Sequence, residues 1–448
     1  MSRVGVEREI ERATAWLRGL IDVERRPDWP YRRFSLDPIR ALLARLGNPE
    51  RALPAVHIAG SKGKGSTALL AEAILLGAGR RVGTFTSPHL ERWTERFRID
   101  GVELEEARLA QAIAEIRPHV DQMRHESPEL APTFFDATTA IAFQVFRAAA
   151  LDCAVLEVGL GGRLDSTNAC VPAVSCVTSI ELEHTDRLGH THAAIAAEKA
   201  GILRPGVPVV VGALSDEALA VVLRRAAEIG APVSRFGVDF GSDLLGADLE
   251  GSRIRVWDGP LELQARLSLL GAPCVQNAAL ATACARRFLG DALPAERFAA
   301  MAASALSGAS LPGRIEVVSR RPLVIVDAAH TAESARALAA VLAEIEQPLH
   351  LVLSISEDKD VDAILGSLLP HASWVTATRA EPARSLDADA LALRARTIAP
   401  TVPTRAEPDP HRAVREARTR CAKGEALCVS GSVYLAGIAR AELCQAIA

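Results

Sequence analysis

The sequence predicts an α/β protein of two domains. The first is a parallel-sheet domain built around a phosphate-binding loop, and the second is a smaller, Rossmann-like α/β domain. Three observations carry this reading. Strand-length apolar runs alternate with helix-length runs along most of the chain, the pattern of a parallel sheet covered by helices on both faces. A glycine-rich turn separates the first such strand from its helix. The alternation breaks over residues 232–270 and restarts after SGASLPGR (307–314), a stretch of linker composition. The expected domains are therefore 1–311 and 312–448, within the two or three domains that 448 residues suggest at about 150 per domain.

Taken in order, residues 1–20 and 36–47 read as amphipathic helices. The run AVHIAG reads as a buried strand, and TALLAEAILLGAG continues as a helix ended by glycine. RRVGTFTS is the next strand, followed by helices in EEARLAQAIAEIRPHV and TFFDATTAIAFQVFRAAA. DCAVLEVGL and AVSCVTSI are strands, HAAIAAEKAGIL is a helix, and VPVVVGA with DEALAVVLRRAAEIG repeats the pair. The short segments RIRVWDG and LELQARLSLLG suggest an antiparallel addition at the sheet edge. QNAALATACARRFLG is helical, and beyond the linker the alternation resumes from RPLVIVDAAH to ALCVSGSVYLAGIAR.

Composition narrows the function classes. Hydrophobic residues make up 49% and charged residues 24%, which excludes a wholly disordered chain. The net charge of −4 argues against a general nucleic-acid or membrane-surface binder, and no apolar run is long enough to span a bilayer. The amino-terminal residues lack a signal-peptide core, and the eight scattered cysteines form no CxxC. The expectation is a cytoplasmic protein with reduced thiols.

The turn Gly60-Ser61-Lys62-Gly63-Lys64-Gly65-Ser66-Thr67 carries the first chemistry. Glycines let backbone N–H groups wrap a phosphate, and the helix start adds a favourable dipole. Lys64 is placed to reach β- and γ-phosphates and Ser66 to ligate Mg²⁺. The spacing is not the strict GxxxxGK[ST]; one residue separates lysine from hydroxyl. A solvated glycine-rich turn is the bland alternative, and the order strand, loop, lysine, hydroxyl, helix favours the phosphate site. The loop alone implies nucleotide binding and no particular reaction.

With this loop in place, the chain resembles the folylpolyglutamate synthase/dihydrofolate synthase family of the Mur ligase superfamily. The resemblance rests on LGNPERALPAVHIAGSKGKGST, GTFTSPHL, TFFDATTAIAFQVF, VLEVGLGGRLDSTN, HTDRLGHTHAAIAAEKAGI, LPGR, DAAH, SEDKD and SGSVYLAG, and so spans nearly the whole chain. It implies a P-loop ATPase domain followed by a glutamate ligase domain. It also implies a reaction in which a folate-type carboxylate, on dihydropteroate or tetrahydrofolate, becomes an acyl phosphate at the expense of ATP and is then captured by the amine of L-glutamate. Two Mg²⁺ ions are implied, held by Ser66, Ser87, Glu157, His184 and a carbamylated Lys199. Asn277, Arg314 and Asp327 are implied to hold the nucleotide, and His330 to lie near the incoming glutamate. Lys64, Lys199 and His330 are the implied catalytic set, in a monomer.

Each residue has a plainer reading. Ser87 is a turn serine before proline, His184 a loop histidine, Lys199 a helix-end lysine, Asn277 a helix N-cap and Arg314 a solvated linker charge. Glu157 and Asp327 end apolar strands and so face the ligand crevice of an α/β sheet. For His330, Lys359, Asp360 and Ser430-Gly431-Ser432, a loop polar residue is nearly as good a reading as a substrate role. The chain departs from the family pattern at Ser61-Lys62, at Ala328, Thr331 and Ala332 of DAAHTA, at Pro273-Cys274, at Asp136 and at Glu183. Those changes cluster toward the acceptor and amino-acid side. A ligase for a non-folate carboxylate and a non-catalytic nucleotide-binding module are the competing readings. A peptidoglycan ligase is disfavoured, because only 56 residues precede His57.

Overall fold

The computed structural model describes residues 3–21, 34–421 and 424–444. The helices expected at 1–20 and 36–47 are seen at Arg3–Arg18 and Asp37–Arg45, the first two residues lying outside the described ones.

Eight strands form the large sheet: β1 (Pro54–Ala59), β2 (Val82–Phe85), β3 (Phe97–Ile99), β4 (Val102–Glu103), β5 (Cys153–Glu157), β6 (Val171–Val177), β7 (Val209–Val211) and β8 (Val233–Arg235). Their spatial order is β4-β3-β2-β5-β1-β6-β7-β8. All neighbours from β2 to β8 pair in parallel, and the β3–β4 hairpin adds antiparallel strands that the sequence reading missed. Strands β1 and β5 are buried along almost their whole length because helices cover both faces, which is why they read as unbroken apolar runs. β1 runs between β5 and β6, so the chain turns from its carboxyl end into a crevice flanked by the ends of both neighbours.

Residues 232–270 differ from the expectation. They do not extend the large sheet beyond β8. Strands β9 (Phe240–Asp248), β10 (Gly251–Asp258) and β11 (Leu261–Leu267) form a separate three-stranded antiparallel sheet. The cause is the helix Ala272–Leu289, which is apolar on nearly every side. One side packs on the helix Lys64–Gly77, and the opposite side needs its own cover. Phe240, Ile254, Val256 and Leu263 supply it, in one core with Leu70, Ile74, Leu280 and Phe298. Period-two alternation along β10, with Ile254 and Val256 inward, fits a sheet wetted on its other face.

The second α/β unit holds β12 (Glu316–Arg320), β13 (Leu323–Val326), β14 (Leu349–Leu353), β15 (Trp374–Ala377), β16 (Thr404–Ala406) and β17 (Ala426–Ser430). The order is β12-β13-β17-β14-β15-β16, with only β12 antiparallel. Two apolar clusters line its faces, one around Ile325, Leu351 and Leu365 and one around Val326, Val352 and Leu435.

Candidate active site

The glycine-rich turn leaves β1 at Gly60 and enters the helix Lys64–Gly77 at Gly63. Gly63 has φ +79°, where a side chain is strained, and a Cβ there would come within 2.4 Å of Asn277 Oδ1. Two loop amides are tied to the segment after β6: Ser61 N–H donates to the Ser179 carbonyl (2.8 Å) and Lys62 N–H to Ser179 Oγ (2.8 Å). Thr178 Oγ1 donates in turn to the Lys62 carbonyl at 2.6 Å. The first N–H groups of the helix, at Lys64 to Ser66, receive no side-chain cap from Gly63, and an uncapped helix start after a strand is the arrangement of an anion site. Lys64 Nζ folds back onto the carbonyls of Gly60 (2.9 Å) and Ser61 (3.2 Å). Ser66 and Thr67 are buried in the first helical turns.

Glu157 ends β5 and is only 5% exposed. Its Oε2 accepts the Ser87 N–H at 2.9 Å and would lie 3.1 Å from a Cβ on Gly65, so the carboxylate rests against the start of the helix. Burial pushes its pKa up; the Lys64 charge and the Ser87 amide offset part of that rise. Thus Ser87, Glu157, Lys64 and Gly65 converge at one point, with Ser66 buried in the first turn of the same helix. Asn277 joins them: it lies inside the helix Ala272–Leu289, not at its N-cap, and Thr67 Oγ1 donates to its Oδ1 at 3.5 Å. The N-cap reading of Asn277 is therefore wrong. Pro273 takes the second position of that helix, where the missing N–H costs nothing, and the Cys274 thiol points back to the Gly271 carbonyl.

A lysine cluster adjoins the loop. Lys199 ends the helix His192–Lys199 and is 2% exposed, and its Nζ donates to the Gly60 carbonyl at 2.8 Å and to Glu183 Oε1 at 3.3 Å. Burial, reinforced by Lys64, lowers its pKa to about 8 against the opposing pull of Glu183. Lys62 Nζ lies 3.7 Å from Glu183 Oε2. Burial pushes the Glu183 carboxyl up, but Lys64, Lys199 and Lys62 outweigh it and hold it at about 2. The shared ion pair therefore favours Glu183's charge while leaving Lys199's ammonium a net cost. Glu183, legible in the sequence only as a departure from the family pattern, is the counter-ion of both Lys62 and Lys199.

His184 has left-handed backbone (φ +47°) and keeps an open surface within a crowded cleft. That crowding, with Lys359 and Lys64 nearby, lowers its pKa to about 4, against the pull of Glu183. His330 follows β13 in the second unit. Its Nδ1 lies 2.8 Å from the Ala328 carbonyl, which fixes the proton on Nδ1 and leaves Nε2 as an acceptor. Burial, then Lys62 of the first unit, lowers its pKa to about 4. Across the same cleft, Glu181 is pushed upward by burial and by Glu333 at the start of the helix Ala332–Leu342. The two units therefore face each other across the phosphate loop.

Other residues serve the backbone. Asp327 is buried, with Oδ2 accepting from Ile315 N–H and Oδ1 from Ala329 N–H, both at 2.8 Å. It braces the linker at the end of its strand. Arg314 is exposed in that linker, yet its charge reaches Glu157, Asp327 and His330. Asp360 caps the helix Val361–Leu368, and Asp136 forms a capping box with Thr133 while accepting from Ser166 Oγ. Lys359 pairs with Asp358 and its charge is felt at Lys62 and His184. Ser430 is fully buried, and its Oγ has no hydrogen-bond partner.

Among the described residues no group of three or more His, Cys, Asp and Glu side chains is set to hold a metal. The donors at hand are a buried carboxylate and hydroxyls beside an anion site. That set fits Mg²⁺, which is bound by one or two carboxylates with substrate phosphates and water. Among the described residues no helix is long and apolar enough to cross a membrane.

Comparison with known proteins agrees with this arrangement. The Mur ligase middle domain matches residues 58–285, and the Mur ligase glutamate ligase domain matches residues 313–433. The dihydrofolate synthase/folylpolyglutamate synthase of Mycobacterium tuberculosis is 36% identical over 395 residues, covering 84% of this chain and 81% of that protein. A probable bifunctional folylpolyglutamate synthase/dihydropteroate synthase of Haloferax volcanii is 35% identical over 93% of this chain, and the chain spans about half (50%) of its length. Among solved structures, M. tuberculosis folylpolyglutamate synthase complexed with ADP superposes with a TM-score of 0.85 at 33% identity, covering 97% of this chain and 98% of that one. E. coli FolC in complex with DHPP and ADP gives 0.82 at 30% identity, over 97% and 98%. With both domains matched in order and the phosphate loop, strand-end glutamate and facing histidine in place, the chain belongs to the folylpolyglutamate synthase/dihydrofolate synthase family of Mur ligases.

Proposed function

We propose that the chain is an ATP-dependent ligase that joins L-glutamate to a folate-type carboxylate through an acyl phosphate, releasing ADP and phosphate. The observation that carries the reading is the convergence of Lys64, Ser66, Ser87 and Glu157 on the uncapped start of one helix, with His330 facing it from the second unit. ATP phosphates would take the free N–H groups of residues 64–66 and the Lys64 ammonium. Asn277 and Arg314 border the same space and would hold the rest of the nucleotide.

Ser66, Ser87 and Glu157 would hold one Mg²⁺, and His184 with a carbamylated Lys199 a second. Bound there, the ions would neutralise the charge spread over the transferring phosphoryl group. A Lys199 pKa near 8 supports carbamylation, because the neutral amine that captures CO₂ is populated close to neutral pH. In the first step a carboxylate oxygen of the acceptor bonds to the γ-phosphorus and ADP leaves. In the second, the glutamate amine bonds to the acyl carbon, phosphate leaves and the nitrogen loses a proton. His330, neutral and with Nε2 open, would receive or orient that amine.

Two units closing on one cleft would exclude water from the acyl phosphate. The domain division at 311/312 fits this reading, since it puts the linker beside Arg314 and the cleft. The test is phosphate release by the purified chain with MgATP and L-glutamate, run separately with dihydropteroate and with tetrahydrofolate. Glutamate-dependent release with either acceptor supports the proposal and assigns the step. Release without acceptor or glutamate would make the chain a plain NTPase. Silence with both acceptors would move it to another carboxylate.

A further inference from the structure

The segment that carries Ser87 does not end at the site. It continues as Pro88-His89-Leu90-Glu91 into direct contact with the second unit. Leu90 packs against the apolar cluster that contains Val326, Leu435 and Ala436. The helix Val433–Cys444 comes so close that a Cβ on Gly437 would lie 2.1 Å from the Leu90 carbonyl oxygen. A Cβ on Gly313, in the linker, would lie 2.9 Å from Leu90 Cδ1. Three side chains lock this junction. Arg440 Nη1 donates to Glu91 Oε1 at 2.7 Å, and its Nε donates to Glu316 Oε2 at 2.8 Å. The same Glu316 oxygen accepts the Gly313 N–H at 2.7 Å. All three charged side chains are about one-fifth exposed, so the pairs are shielded more than ordinary surface bridges. On the other side, Glu95 accepts the N–H groups of Leu90, Glu91 and Arg92 at 2.7–2.9 Å, which makes the segment a stiff strut.

We infer that Arg440 is a positioning residue: with Glu91, Glu316 and the glycine contact at Gly437 it couples docking of the second unit to the placement of Ser87 beside Glu157. The inference rests on the proposed function for its kinetic consequence, though not for its structural one. Docking would set the segment that presents the Ser87 amide and hydroxyl, so the phosphate site would be complete only with the units together. Arg440 touches no reacting group and would act only through the segment.

The experiment measures hydrogen exchange of amides 87–92 and the kcat/KM for ATP in the wild type, Arg440→Ala, Arg440→Lys and Gly437→Ala. Arg440→Ala is expected to speed exchange across 87–92 at least fivefold and to lower kcat/KM at least tenfold, with Arg440→Lys within about threefold of wild type on both. Gly437→Ala keeps Arg440 and both its ion pairs but sets a Cβ against the Leu90 carbonyl, and thermal unfolding of each variant separates lost docking from lost fold. Gly437→Ala is expected to reproduce the faster exchange and the tenfold loss, because its Cβ meets the Leu90 carbonyl. Unchanged exchange at 87–92 in both Arg440→Ala and Gly437→Ala would overturn the inference, whatever the activity. A wild type that ligates no glutamate would count against the proposed function alone, since the exchange measurement needs no turnover.

Discussion

Replacing Glu157 by glutamine separates the needs of the site from those of the fold. The carboxylate is 5% exposed, and burial raises its pKa by more than Lys64 and the Ser87 amide lower it. A raised folded-state pKa means that the ionised group is less favourable in the native state than in the unfolded one. Its contribution is therefore fully present below the unfolded pKa of about 4.5 and is lost as pH rises through the folded value. At pH 7 the charge costs stability. Glutamine keeps the shape and still accepts from Ser87 N–H, and it carries no charge to desolvate. The variant should gain about 1 kcal/mol at pH 7, the scale seen when a function-bound burden is removed, or roughly 2–4 °C in midpoint for a unit this size. That advantage should shrink as pH falls to about 4.5. Turnover should drop roughly 10²–10³-fold, as when one preorganised electrostatic partner of a transition state is removed. Thermal unfolding at pH 7 and 5, with phosphate release on the same samples, makes the test. A variant that is less stable at pH 7 yet retains turnover would refute the reasoning on both counts.

Further outcomes follow from the same geometry. Gly63→Ala forces a Cβ toward Asn277 Oδ1 at a left-handed position; nucleotide affinity by calorimetry should fall at least tenfold, a loss of about 1.4 kcal/mol. Asp327→Ala strands the buried N–H groups of Ile315 and Ala329, and denaturant unfolding should show a loss of about 2–4 kcal/mol. His330 stays neutral to about pH 4, so the kcat profile should show no step from it between pH 5 and 8. Its lowered pKa also makes the folded state lose stability relative to a His330→Gln variant as pH falls from about 6.5 toward 4, which unfolding across that window would register.

Legibility in the sequence followed how local each signal was. The parallel strands were readable because β1 and β5 are buried on both faces and appear as unbroken apolar runs. The phosphate loop was readable because its glycines, lysine and hydroxyl are contiguous. The three-stranded sheet was assigned to the wrong place because its alternation reveals one buried face and not what that face covers. Its partner, the helix Ala272–Leu289, lies further along the chain. Asn277 could pass for a cap until the helix start was fixed at Gly271. Asp327 was legible as a carboxylate at the end of an apolar strand, whereas its bonds to the Ile315 and Ala329 amides were not. Glu183 as the counter-ion of Lys62 and Lys199, and Arg440 as the bond between residues 349 positions apart, depend on tertiary contacts that no local pattern encodes.

The most direct measurement of the central claim uses an acceptor whose carboxylate is labelled with ¹⁸O. The purified chain is given MgATP, L-glutamate and this acceptor, and the released phosphate is weighed by mass spectrometry. Attack of the carboxylate on the γ-phosphorus, followed by capture with the amine, leaves one acceptor oxygen on phosphate. The account predicts one ¹⁸O per phosphate in step with amide formed. Amide formed with unlabelled phosphate, or phosphate released with no amide, would contradict it.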